Sequence, residues 1–283
     1  MEPRAGTGDD FCYRHPKRES FVLCQRCART VCGDCQIPAP VGVHCPECRK
    51  NERSASGNAI GNSRGIADRL LGRTRVGGDF SPVVTYVLLG IMAVVYALQW
   101  LTGGMVTQLL LYWPPITALE PWRMVTTMFA HSTSSVFHIL FNGYSLYILG
   151  TLVERLVGRA RFLWLFLLSG LGGSVAVLWL SPSTAVVGAS GAIFGLFGAL
   201  FVIQRSFGGA NRQLLIVLAL NLVLGFVVPG ISWQAHIGGL LIGSLVAWIF
   251  VRTRGNSTRA LERTQLGGVA MGLVIATVAG AVL

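Results

Sequence analysis

The sequence predicts an all-α polytopic membrane protein: a six-helix bundle with a seventh, C-terminal transmembrane helix, preceded by a small cysteine-rich domain that binds metal. Three observations carry this. Hydrophobic residues make up 52% of the 283 and charged residues only 12%, with a mean hydropathy of +0.59, which is outside the range of soluble globular domains. The charges are segregated, because nine of the twelve acids lie at or before Asp79 and only Glu120, Glu154 and Glu262 follow. All seven cysteines fall between Cys12 and Cys48.

From the N-terminus, the first element is the cysteine-rich domain, residues 1–49. Together with His15 the cysteines form four pairs of one internal spacing: Cys12/His15, Cys24/Cys27, Cys32/Cys35 and Cys45/Cys48. The polar, cysteine-rich start is not expected to act as a signal peptide, and an odd number of thiols so paired, in a segment expected to be cytoplasmic, points to zinc rather than to disulfides. Eight ligands make two closed tetrahedral sites, so two structural zinc ions are expected. Without them so short a segment could hardly bury a core. His44 and Asp34 stand next to cysteines and are alternative ligands. The spacing resembles that of B-box and other cross-braced zinc fingers, which implies that the first and third pairs share one metal and the second and fourth the other. The last pair departs from the B-box habit of using histidines. A protein partner of this domain is expected only by analogy. Nucleic acid is not an expected partner, since residues 1–80 hold thirteen basic and nine acidic groups and no basic recognition helix.

Residues 50–80 are rich in Gly, Ser, Asn and Arg and poor in large apolar side chains. They read as a flexible basic linker that touches lipid through Arg69, Arg73 and Arg75. Apolar runs follow at about Pro82–Trp100, Ser135–Val153, Phe162–Leu180, Gly188–Ile203, Leu214–Val228, Ser232–Val251 and Leu266–Leu283. A helix needs roughly 20 apolar residues to cross the hydrocarbon, and shorter ones serve where neighbours shield their ends. Seven spans are therefore expected, of which the fifth is the shortest. The first six form a core over 81–255, and 256–283 supplies a cytoplasmic linker and the seventh span.

Arginines set the orientation. Arg155, Arg159 and Arg161 follow the second span, Arg205 and Arg212 the fourth, and Arg252, Arg254, Arg259 and Arg263 the sixth, whereas the alternate loops hold only Arg123. Positive charge is retained in the cytoplasm, so the N-terminus is expected there and the C-terminus outside. The net charge of +11 is then explained by topology and by attraction to anionic lipid. Glu154 beside Arg155 reads as a cap on the cytoplasmic end of the second span. Gly267, Gly268, Gly272 and Gly280 in the last span suggest packing against the core.

In this orientation Ser190, His236, His138 and Asn142 come to one depth, near the outer face, from three different spans. A polar group in hydrocarbon is costly unless it is paired or lines a wet cavity, which makes the coincidence informative. His138 and Asn142 are four apart and share a helix face. A serine hydroxyl attacks a carbonyl when a base such as a neutral imidazole takes its proton. No carboxylate is placed to orient that imidazole, so a serine hydrolase here would run on a Ser-His dyad. The Asn142 amide, a His138 imidazole N–H and the Ser190 backbone N–H are candidate oxyanion donors. Gly188 and Gly191 would let the chain bend around the serine. Gly191/Gly195 and Gly239/Gly243 would let two spans approach closely, and Phe194, one turn below Ser190, would cover the imidazole.

Trp122-Arg123, His138-Ile139-Leu140-Phe141-Asn142, Gly188-Ala189-Ser190-Gly191 and Ala235-His236-Ile237-Gly238-Gly239 together resemble rhomboid intramembrane serine proteases over roughly residues 82–255. The resemblance implies a rhomboid-like core in which Ser190 is the nucleophile, His236 the general base and then acid, and His138 and Asn142 the oxyanion-stabilising pair. It implies membrane-anchored substrates cut in or near their transmembrane segments, with no metal needed for catalysis. Phe194 falls where the family often has a tyrosine. Trp122 and Arg123 are expected to brace the outer loop, and His131 has no assigned role. The expected location is a bacterial cytoplasmic membrane. The alternative is a catalytically inactive rhomboid-like protein that binds client transmembrane segments; a transporter is disfavoured because no acid or arginine lies within a span.

Overall fold

The computed structural model describes residues 10–39, 42–51, 81–208, 212–228, 230–253 and 258–282. Two compact units are formed, one within Met1–Ile66 and the other within Ala67–Leu283. The expected linker, including Arg69, Arg73 and Arg75, lies almost wholly outside the described residues, as do Arg254 and Leu283.

The first unit has two minimal antiparallel ribbons, β1 (Phe11–Cys12) with β2 (His15–Glu19) and β3 (Ile37–Pro38) with β4 (Val43–His44), and a helical stretch over 46–51. Its interior is made of Cys12, Cys24, Val31, Cys32, Cys35 and Cys45, with Tyr13, Val43 and Cys48 packed against them. Among the buried members Val31 alone is not a cysteine, so the thiols themselves occupy the place of a hydrophobic core.

The second unit is helical. Its helices are α1 (Val83–Leu101), α2 (Met105–Leu110), α3 (Arg123–Thr126), α4 (Val136–Ser145), α5 (Thr151–Val157), α6 (Arg159–Leu180), α7 (Ser190–Ser206), α8 (Arg212–Val227), α9 (Trp233–Arg252) and α10 (Arg259–Val282). A π-helical turn, Leu146–Gly150, joins α4 to α5, so the expected second span is one continuous apolar column over Val136–Val157. Among the described residues five helical columns are long and apolar enough to cross a membrane, and α7 and α8 are shorter apolar helices. At 17 and 16 residues these two reach about 25 Å. Helices satisfy their own backbone groups, which is what a hydrocarbon solvent demands.

The centre of the unit is α6, α7 and α9, and glycine is the reason they touch. A methyl group on Gly239 would lie 2.6 Å from the Gly191 carbonyl carbon and 3.1 Å from its Cα. One on Gly173 would lie 2.9 Å from the Ala235 carbonyl oxygen, and one on Gly243 would strike the backbone of Gly195. The two glycine pairs of the sequence therefore do face each other across α7 and α9. Gly172 and Gly173 extend the contact to α6, where Gly172 meets Ile242 and the Gly238 carbonyl. Elsewhere α8 buries only Leu214 and Gly225, and α1 only Thr85, Leu88, Met92 and Gln99.

Three acids fix the ends of these helices, and the first of them departs from its end-cap reading. Glu154 is fully buried and does not cap its own span. Its carboxylate accepts the backbone N–H groups of Val84 and Thr85 at 3.0 and 2.8 Å and the Thr85 hydroxyl at 2.7 Å. The reason is that the first N–H groups of α1 have no partner within the helix, and a negative charge is favoured at that positive end of the helix dipole. Glu262 turns inward to pair with Arg161 through two bonds of 2.9 and 2.6 Å and accepts the Thr253 hydroxyl at 2.9 Å. This pairing makes the polar turns before Leu266 helical, so the last helix starts at Arg259. Of the four glycines expected to pack that helix, Gly280 alone makes a close approach, against Leu178 and Trp179, and nothing lies within 4 Å of a methyl built on Gly267, Gly268 or Gly272. Glu120 pairs with Arg123, whose guanidinium also donates to the Gln108 and Leu111 carbonyls. Arg123 thus braces the long first loop, while Trp122 is exposed.

Candidate active site and metal centres

Ser190 is the first residue of α7, and the loop before it is pinned from the opposite side. Val186 and Tyr112 exchange backbone hydrogen bonds of 3.1 and 2.8 Å, Thr127 donates its hydroxyl to the Val186 carbonyl at 2.6 Å, and the Gly188 N–H donates to the Thr127 carbonyl at 2.9 Å. Gly188 has φ +122°, a left-handed region that favours glycine. The chain then enters α7 with no side-chain cap, so the N–H groups of its first turn stay free to donate.

His138 and Asn142 face this turn. A methyl on Gly188 would lie 2.9 Å from His138 Nε2 and 4.0 Å from Asn142 Nδ2, so both side chains present nitrogen to the Gly188–Ser190 segment. Asn142 Nδ2 donates to the His138 carbonyl at 2.8 Å, which fixes the amide orientation and leaves its second N–H available. Asn142 Oδ1 is buried without a partner.

His236 is buried on α9 and lies flat on Phe194 of α7, with ring centroids 4.0 Å apart and planes 11° apart. Its Nδ1 has no hydrogen-bond partner and faces α8, where a methyl on Gly225 would sit 3.2 Å away. The structure brings His138 and Asn142 to Gly188, two residues before Ser190, and His236 onto Phe194, one turn further along α7; it does not draw a hydrogen bond between Ser190 and His236. No carboxylate touches the His236 ring among the described residues.

Sequence reasoning passed over three residues here. His131 is fully buried and packs edge-on against His138 at 5.3 Å. Gln99 bonds to both backbone groups of His131, and Gly225 makes room for His236. For His131 the signal was its place just before the second span. Gln99 was detectable only as a lone amide in an apolar run, and Gly225 carried no signal.

The Rhomboid domain pattern matches residues 118–253. The putative rhomboid protease YdcA of Bacillus subtilis (strain 168) is 32% identical over 187 residues, covering 61% of this chain and 90% of that protein. The chain belongs to the rhomboid family. Rhomboid protease GluP of the same organism is 34% identical over 181 residues, 59% of this chain and 34% of that one. RHOMBOID-like protein 1 of Arabidopsis thaliana is 34% identical over 139 residues, 47% of this chain and 35% of that one. This rhomboid therefore spans about a third of the length of two of these relatives and nine-tenths of the other. Residues 118–253 of the Rhomboid domain match include His138, Asn142, Ser190 and His236, whereas Cys12–Cys48 lies outside them.

In the N-terminal unit of this rhomboid the ligating atoms of Cys12, His15, Cys32 and Cys35 lie within 4.8 Å of one another, as do those of Cys24, Cys27, Cys45 and Cys48. All seven cysteines are free thiols. The first and third pairs thus converge, as do the second and fourth, while Asp34 pairs with Arg18 instead and His44 belongs to neither group. Cys27 and Cys45 Sγ are 3.7 Å apart and His15 Nδ1 is 3.3 Å from Cys32 Sγ. These separations fit the edges of a tetrahedron whose centre is ~2.3 Å from each sulfur. Burial raises the Cys12 and Cys24 thiols, but hydrogen bonds from backbone N–H groups and neighbouring side chains outweigh it and bring both down to about 6. Burial and then the crowding of neighbouring thiols push Cys35 up to about 11 and Cys48 to about 12. A divalent cation would relieve that crowding, so the donor set fits a soft metal.

Proposed function

We propose that this rhomboid is an intramembrane serine endopeptidase that cleaves peptide bonds in or near the transmembrane segments of membrane-anchored proteins. The observation that carries the reading is the convergence of His138 Nε2 and Asn142 Nδ2 on the Gly188–Ser190 turn, beside an imidazole held flat by Phe194. Ser190 Oγ attacks the scissile carbonyl while His236 takes its proton through Nε2, since Nδ1 faces Gly225. Negative charge on the carbonyl oxygen is received by His138 Nε2–H, Asn142 Nδ2–H and the backbone N–H of Ser190. His236 then returns the proton to the leaving amine, and water admitted from the outer face hydrolyses the acyl-enzyme by the same groups in reverse. A substrate span that unwinds readily is preferred, because a helical amide is hydrogen-bonded and covered. Two zinc ions in the Cys12–Cys48 region hold that domain together and take no part in this chemistry. A protein that binds to that domain is a further partner of this reading.

The test is cleavage of a membrane-anchored substrate in liposomes by wild type, Ser190→Ala and His236→Ala. Loss in both variants is expected, and equal cleavage by all three overturns the assignment. The missing Ser190–His236 hydrogen bond favours a second reading, an inactive rhomboid-like protein that binds client spans, although catalytic hydrogen bonds commonly tighten only with substrate bound. A serine-directed covalent inhibitor separates the two: labelling of Ser190 that disappears in His236→Ala belongs to the enzyme, and labelling indifferent to His236 belongs to the binder.

A further inference from the structure

His138 can donate to an oxyanion through Nε2 only if that nitrogen carries a proton, and the structure contains a device that places the proton of the neutral ring there. The Ser132 backbone N–H lies 3.1 Å from His138 Nδ1. A backbone amide can only donate, so Nδ1 must accept and the ring proton must sit on Nε2, the nitrogen that faces Gly188. The Ser132 N–H is held in place from one residue away. Gln99, at the end of α1 and fully buried, accepts the His131 N–H on its Oε1 at 3.0 Å and donates its Nε2 to the His131 carbonyl at 2.8 Å and to the Thr107 hydroxyl at 2.7 Å. That carbonyl belongs to the same peptide group as the Ser132 N–H. Fixing the oxygen of a planar peptide fixes the direction of its N–H. The His131 ring adds a second restraint, because its Nδ1 donates to the Phe129 carbonyl at 3.1 Å while it packs edge-on against the His138 ring, with centroids 5.3 Å apart.

We propose that Gln99 is a positioning residue: by clamping the His131–Ser132 peptide it locks His138 in the Nε2–H tautomer aimed at the Gly188–Ser190 turn. The consequence for catalysis rests on the oxyanion role proposed for His138; the tautomer itself does not. Gln99 lies far from the motifs in sequence and touches neither Ser190 nor His236. Its amide has no freedom to flip, since both ends are engaged by groups of fixed polarity.

The experiment is nitrogen NMR of the full chain in micelles with labelled histidine. The chain has five histidines, and His138 is assigned by the signal lost in His138→Ala. Wild type is expected to show His138 as one neutral tautomer, with a protonated Nε2 and a hydrogen-bonded, unprotonated Nδ1. Gln99→Leu, which fills similar space but bonds to nothing, should give a mixture of tautomers. In the cleavage assay it should lower kcat on the order of 10- to 100-fold with KM unchanged, less than the ~10²- to 10³-fold loss typical of deleting an oxyanion donor. Ser132→Pro, which deletes the donated N–H and leaves Gln99 in place, must reproduce the tautomer change; it serves if Gln99→Leu does not fold. A wild-type His138 protonated on Nδ1, or variants that keep the pure Nε2–H tautomer, overturns the proposal. Full cleavage by His138→Ala with the tautomer behaviour as expected would instead defeat the oxyanion role and leave the clamp standing.

Discussion

Replacing Gly239 by alanine adds one methyl group at the point where α9 crosses α7, and its effect follows from the distances there. The new carbon would lie 2.6 Å from the Gly191 carbonyl carbon and 3.1 Å from its Cα, with the Gly191 oxygen closer still, whereas ordinary contact begins at 3.4 Å. The obstacle is backbone on both sides, so no side chain can swing aside and the helices must part by about 1 Å. Overpacking of this kind costs roughly 1–3 kcal/mol. The effect on turnover should exceed the effect on stability, because Gly191 follows Ser190 directly and His236 lies one turn before Gly239, so the separation falls on the two groups proposed to react. A misplacement of about 1 Å is worth on the order of 10²-fold in rate. The assay is initial-rate cleavage of a reconstituted transmembrane substrate alongside thermal unfolding in detergent. Gly268→Ala serves as the control, since nothing lies within 4 Å of its added methyl, and it should leave both readouts unchanged. Gly239→Ala with wild-type kcat would refute the claim that close approach of α7 and α9 sets the distance between the proposed nucleophile, Ser190, and the proposed base, His236.

Two further outcomes are expected. The purified chain should carry two equivalents of zinc by elemental analysis; a chelator should abolish the fold of residues 12–48, read by limited proteolysis, while cleavage of a minimal substrate by the helical unit persists, and a metal-free protein with that region intact would refute the ligand assignment. Glu154→Ala should destabilise the fold by roughly 2–3 kcal/mol and lower the thermal midpoint, since the buried N–H and hydroxyl of Thr85 and the half-buried N–H of Val84 lose their acceptor and a buried donor left unsatisfied costs about 1–3 kcal/mol; a loss under about 1 kcal/mol would show that water replaces the carboxylate.

What could be read in advance was whatever repeats along one helix or one short segment. Gly191/Gly195 and Gly239/Gly243 are spaced by one helical turn, so their faces were visible in the sequence and they do meet. His138 and Asn142 share a face for the same reason. The cysteine and histidine pairs were readable because each pair is local, and the resemblance to cross-braced fingers supplied the partnering by which they converge into two clusters. Glu154 was misassigned because its partners are backbone amides 69 and 70 residues away, and backbone donors leave no trace in side-chain identity. Gln99 was missed likewise, for its partner is the peptide of His131, 32 residues on. The polar first turns of α10 were read as linker because Arg161, which makes Glu262 tolerable there, lies on a different helix.

The manner in which α1 is attached bears on how the protein meets its bilayer. Glu154 holds its first turn and Gln99 its last, and between them much of the helix faces outward. Nineteen residues span ~28 Å, close to the ~30 Å of a typical hydrocarbon core. A free span answers a thicker or thinner membrane by tilting. A helix fastened at both ends has lost that response, so a mismatch in thickness is taken up by the surrounding lipid or by rupture of one fastening, and rupture at the Gln99 end would reach His138. Membrane thickness thereby becomes a variable that this fold couples to the geometry of its site.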